Sequence, residues 1–169
     1  MTLRLRPPSN RWTAPTDYSS MTRATVPDVD PTVTITCHPK AAPLLTWIIW
    51  QVDKRVAPVN PRTTAAWNNR PIAGSDRWST HATGAAVDIN WDLWPMFRSR
   101  MTRAQRRTCT DIERRCKGAV VWGGRTSWVA SGRVDEMHWE IVATPEEAYA
   151  TGRRLWARAL HPTRGGLPS

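Results

Sequence analysis

The chain has 169 residues, 24 Lys and Arg against 14 Asp and Glu, and 40% hydrophobic residues. That length and apolar content suit one globular domain with its own core and argue against a disordered chain. The net charge of +10 favours polyanionic surroundings, such as nucleic acid, wall polymer or membrane surface, without choosing among them.

Residues 1–32 are rich in Pro, Ser, Thr and Arg and read as an extended lead-in with little regular structure. The N-terminus has no apolar core of a secretory signal, and the longest apolar run, near PLLTWIIW, is far too short to span a membrane. TVTITCHP, 32–39, alternates β-branched residues as a strand does. Within 40–57 the apolar residues at 44, 45, 48, 49, 52 and 56 recur at helical spacing. A connector follows, then a loop and a short strand near 84–90. Thr102 is a plausible N-cap for a helix over 103–117, which Gly118 stops. AVVWGGRTS is an apolar strand broken by a glycine pair, and DEMHWEIV, 135–142, alternates as a strand. Thr144, Pro145 and two early acids mark the start of a helix over 144–160. The tail, 161–169, reads as loose. This order predicts an α+β domain over 33–160, a small antiparallel sheet flanked by helices.

The three cysteines do not form a disulfide framework. Cys109 and Cys116 share the predicted helix about 10 Å apart, beyond the roughly 7 Å a disulfide spans. They read as small core residues, and the reduced thiols suit synthesis in a cytoplasm. Most of the eleven tryptophans belong in the core or a cleft wall.

Catalytic zinc needs three nitrogen or oxygen ligands and an open position for water. Four histidines are available: His38, His81, His138 and His161. His81 and Asp88 enclose a run of small residues that lets backbone fold closely around an ion. His138 lies on the last predicted strand, where Glu136, His138 and Glu140 share a face by alternation. Asp135 faces the other way unless the strand starts after it. Singly, each of these features fits ordinary surface or core polarity. His38 and His161 have no partner motif and read as packed or solvated, and Glu140 as a supporting partner or a surface residue.

Taken together, the segments resemble the zinc DD-carboxypeptidase and L-Ala-D-Glu endopeptidase family. SDRWSTHATGAAVDIN matches its Ser-x-His-x-x-Gly-x-Ala-x-Asp block at Ser79, His81, Gly84, Ala86 and Asp88. A second block, an acid three residues before a histidine followed by an aromatic residue, is matched by Asp135, His138 and Trp139. Trp122, Gly123 and Gly124 supply the turn common upstream of that block in phage-type endopeptidases. Arg70 stands where the family carries an arginine ahead of the first block.

The resemblance spans roughly residues 40–142 and implies a hedgehog/DD-peptidase-like fold. It implies His81, Asp88 and His138 as ligands of zinc, Asp135 as general base, Arg70 as oxyanion or carboxylate partner, and Ser79 as a substrate contact. Asp rather than Glu three residues before the histidine favours the endopeptidase branch, and Glu136 stays open as an alternative base. The expected protein is a phage endolysin or its peptidase module. It would be a monomer made in the host cytoplasm, released through a holin-opened membrane, and would cut the L-Ala-D-Glu bond of peptidoglycan. The alternatives are a D-alanyl-D-alanine carboxypeptidase and, from another class, a basic nucleic-acid-binding protein, for which no recognition motif is present.

Overall fold

A computed structural model describes residues 12–13, 17–72, 74–125 and 132–160. Within them the fold is α+β, with three α-helices and two small antiparallel sheets. The first sheet is a hairpin of β1 (Thr22–Thr25) and β2 (Thr34–Cys37), with Thr22 opposite Cys37 and Thr25 opposite Thr34. Ile35 and Cys37 point into the core while their neighbours are half-buried, as the alternation predicts. β1 lies inside the stretch expected to be an irregular lead-in. Its only apolar residue is Ala24, so periodicity gives no signal; pairing with β2 supplies the strand.

The second sheet has the order β3 (Ala86–Asp88), β5 (His138–Ile141), β4 (Val120–Trp122). Asp88 stands opposite His138 and Ala86 opposite Glu140, and Trp139 is flanked by Val87 and Trp122. Cross-strand partners share a face. One face of β5 therefore carries His138 and Glu140, and the other carries Trp139 and Ile141 into the core. All four β5 residues are buried. The strand begins at His138, not at 135, so Asp135 and Glu136 belong to the turn before it. The expected shared face of Glu136, His138 and Glu140 accordingly does not include Glu136.

Helix α1 (Ala42–Arg55) buries Leu44, Leu45, Ile48, Ile49 and Val52. Helix α2 (Arg103–Arg115) starts at Thr102, whose hydroxyl accepts from the Gln105 N–H while the Gln105 side chain accepts from the Thr102 N–H. It buries only Cys109 and Ile112, and Cys116 extends that stripe at its C-cap. The helix stops short of 117 because Lys117 and Gly118 both adopt positive φ. Helix α3 (Pro145–Leu160) begins with a similar reciprocal cap between Thr144 and Glu147. It packs on α1, where the Trp156 indole N–H donates to the Pro43 carbonyl.

Trp12, Trp47, Trp94, Trp122 and Trp139 are buried, and all three cysteines are buried free thiols. Burial alone raises the thiol pKa of Cys37 to about 12, which suits a packing role. His38 packs edge-on against Trp12 at 4.8 Å. His161, the rest of the tail and the first eleven residues lie outside the described residues. Among the described residues no helix is long and apolar enough to cross a membrane.

Candidate metal centre

The first half of the site is a short 3-10 turn, Thr80–Thr83. The Ser79 hydroxyl caps it by accepting the His81 N–H at 3.3 Å. Gly84 ends it at φ +68°, a region other residues rarely adopt. A Cβ at Gly84 would also stand 2.5 Å from the His38 backbone nitrogen, so this turn needs glycine twice over. Ala82, Thr83, Ala85 and Ala86 are fully buried. Their small volumes let the chain turn tightly into β3 and bring Asp88 back beside His81.

The second half hangs on the Trp-Gly-Gly turn. The β4–β5 ladder continues past Trp122, with the Gly123 N–H donating to the His138 carbonyl at 2.9 Å. The Gly123 carbonyl accepts from the Asp135 N–H at 3.2 Å. The Trp122 indole N–H donates to the Glu136 carbonyl at 2.9 Å. A Cβ on Gly124 would fall 2.3 Å from the Trp122 ring. The glycine thus leaves room for the indole that supports the turn holding Asp135.

These two halves bring His81, Asp88 and His138 together. His81 Nε2 lies 3.2 Å from His138 Nδ1 and 3.3 Å from Asp88 Oδ1. His138 Nδ1 lies 2.9 Å from the same oxygen. Four-coordinate zinc at about 2.0–2.1 Å from each ligand requires ligand atoms about 3.3 Å apart. The observed triangle has that size, and its donors are two imidazole nitrogens and a carboxylate oxygen, a set that suits zinc.

The remaining ring nitrogens fix which lone pairs face inward. His81 Nδ1–H donates to the Ala66 carbonyl at 2.6 Å. His138 Nε2–H donates to Glu140 Oε2 at 3.3 Å. The nitrogens turned inward are therefore Nε2 of His81 and Nδ1 of His138, the latter once it gives up the proton it shares with Asp88. The electrostatics also call for a cation. Burial disfavours charge on His138, yet hydrogen bonds to Asp88 and Glu140 prevail and raise its pKa to about 10. Burial would raise the Asp88 pKa, but the two histidines hold it well below the usual carboxylate range.

Asp135 and Glu136 are both buried and have different surroundings. Among the described residues Asp135 Oδ1 has no hydrogen-bond partner, and burial raises the carboxyl pKa to about 6. Glu136 is fully buried and committed elsewhere. Its Oε2 accepts the N–H groups of Arg100 and Met101 at 2.7 and 2.8 Å, and its Oε1 pairs with Arg106 at 2.6 Å. Glu136 therefore ties the start of α2 to the turn.

Ser79 is buried with its hydroxyl engaged as the cap. Arg70 is exposed, and its guanidinium donates to its neighbour's carbonyl, Pro71 O, at 3.4 Å; its own carbonyl accepts the Ser79 N–H. The structure thus joins Arg70 to the site through backbone. Sequence reasoning missed the Ala66 carbonyl, because a backbone acceptor under a histidine leaves no side-chain signal. It left Glu140 open, and the signal was the two-residue spacing from His138 on one strand.

A closely spaced histidine pair and carboxylate, with a buried acid nearby that keeps one open oxygen, fit a site able to hold a metal ion. Residues 73–141 match the model of a peptidase family described as D-alanyl-D-alanine carboxypeptidase. The matched segment contains His81, Asp88, Asp135 and His138 and begins after Arg70. Over this segment the chain is therefore similar to a peptidase family. No curated protein and no solved structure matches the chain.

Proposed function

We propose that this protein is a zinc peptidase that cuts the L-Ala-D-Glu bond of peptidoglycan stem peptides and serves a phage as an endolysin. The observation that carries the hydrolytic reading is the compact His81, Asp88, His138 triangle together with Asp135, whose buried Oδ1 has no hydrogen-bond partner among the described residues. The three residues of the triangle would hold the ion. Bound zinc supplies a water of near-neutral pKa and polarises the scissile carbonyl.

Asp135, three residues before His138, accepts the proton of the attacking water and passes it to the leaving amine. Its buried setting keeps its pKa close to the range in which a carboxylate can both take and release a proton. Glu140 and the Ala66 carbonyl hold the two imidazoles in register. Asp at position 135 is the feature that favours the endopeptidase branch. Arg70 would hold substrate if its side chain swings inward when substrate binds. Synthesis in the host cytoplasm and release through a holin belong to the same reading.

The second reading, a D-alanyl-D-alanine carboxypeptidase, is favoured by the description of the matching family. Digestion of purified peptidoglycan by the zinc-loaded protein separates the two. New D-Glu amino termini, read by mass spectrometry after labelling, are the expected result. Release of free D-Ala alone would establish the carboxypeptidase, and intact peptidoglycan would overturn both.

A further inference from the structure

The segment leading from β3 to α2, residues 91–102, supplies no residue to the metal triangle. Trp91, Leu93, Met96 and Phe97 are 39, 46, 40 and 66% exposed. These four large apolar side chains fall within seven residues. They do not come from a loose loop. Trp94, within the same stretch, is buried, and the fully buried Glu136 carboxylate accepts the N–H groups of Arg100 and Met101. The most exposed of the four, Phe97, has a φ of 64°, costly backbone for an aromatic residue. Its N–H is pinned to the Val134 carbonyl at 2.7 Å. The fold thus holds a phenyl ring in water at a conformational cost.

The apolar group runs directly into cationic surface. Arg98, Arg100, Arg103 and Arg107 are exposed, and no acidic residue lies between Asp92 and Asp111. Among the described residues none of these four arginines is ion-paired.

We infer that residues 91–107 form a docking face for an anionic lipid bilayer, with the apolar side chains entering the interface and the arginines lying on the headgroups. Bilayer chemistry is the one that uses both halves of this surface. A wall polyanion would engage the arginines but gives Leu93, Met96 and Phe97 nothing apolar to enter. Nucleic acid could stack on Trp91 or Phe97, but gains little from Leu93 and Met96. Membrane docking and hydrolysis are separable, because no residue of this face is a metal ligand or the base.

Co-sedimentation of the full-length protein with vesicles tests this. The expected result is binding to vesicles containing phosphatidylglycerol, weak binding to pure phosphatidylcholine, and weakening by salt. Leu93→Ser/Phe97→Ser should lower the affinity by about tenfold or more, and so should Arg98→Gln/Arg100→Gln/Arg103→Gln. Lys117→Gln/Arg153→Gln/Arg158→Gln, the same charge loss elsewhere, should retain binding. Circular dichroism establishes that each variant is folded. Undiminished binding by folded Leu93→Ser/Phe97→Ser would reduce the effect to net charge and overturn the docking face. So would failure of the wild-type protein to bind vesicles while it self-associates, or binds an oligonucleotide, through these same residues.

Discussion

His81 and His138 turn unlike nitrogens toward each other, Nε2 of the first standing 3.2 Å from Nδ1 of the second. The difference is imposed from behind, by the Ala66 carbonyl on one ring and the Glu140 carboxylate on the other. Only the Glu140 support can be changed through a side chain. Glu140→Gln should leave the fold intact and weaken zinc binding by about 10–100-fold. Zinc competition against a calibrated chelator measures this, and an unchanged affinity would remove Glu140 from the centre.

Metal and fold should be linked, because two buried histidines and a half-buried carboxylate converge where an ion would neutralise them. Zinc at about 100 times its Kd should raise stability by roughly 2.7 kcal/mol relative to chelated protein. Thermal denaturation with and without zinc reads the difference. His81→Ala should abolish both the zinc-dependent rise in Tm and peptide cleavage. A variant that keeps the full rise would place the ion elsewhere.

Asp135→Asn separates chemistry from binding. It should keep zinc and lose about 10²–10⁴-fold in turnover. It should also stabilise the metal-free protein near neutral pH. The folded carboxyl titrates at about 6 against an ordinary value of 3.8 because it is buried. The native state therefore holds this proton more tightly than the unfolded chain does. That contribution to stability is complete below the ordinary value and is lost as pH rises through about 6. At about pH 8 the ionised, buried group is a net cost, and Asn should recover on the order of 2 kcal/mol. Urea titrations of chelated protein at low and high pH check it; a gain that did not grow with pH would contradict the assignment to burial.

Glu136→Gln should behave in the opposite way. It weakens a fully buried anchor for two backbone N–H groups and Arg106, so stability should fall by on the order of 2–3 kcal/mol. Under conditions where the variant is folded, turnover should survive. A stable but inactive Glu136→Gln would return the role of base to this residue.

Gly84→Ala tests the turn that sets His81 against Asp88. The positive φ and the contact with the His38 backbone should together cost on the order of 2–3 kcal/mol. Zinc affinity should drop as well, because relief of the clash moves the turn that carries His81. Calorimetry of zinc binding to folded variant measures the second effect independently of the first.

Several features were legible in the chain itself because they are local. The apolar spacing of α1, the Thr102 and Thr144 caps and the small residues between His81 and Asp88 each act over a few residues. The identities of the three converging donors were legible through motif resemblance and residue chemistry. Strand β1 was not, since it depends on β2 for its hydrogen bonds. The different surroundings of Asp135 and Glu136, adjacent acids in one turn, were also not legible. They arise because β5 begins at His138, and because contacts with Gly123 and the start of α2 place the two acids differently: among the described residues Asp135 Oδ1 has no partner, while Glu136 is committed to α2. Sequence thus determined which groups are available and which short segments turn or coil. Tertiary structure decided which carboxylate keeps an open oxygen and which imidazole nitrogens converge, because burial and the partner behind each ring come from residues distant in the chain.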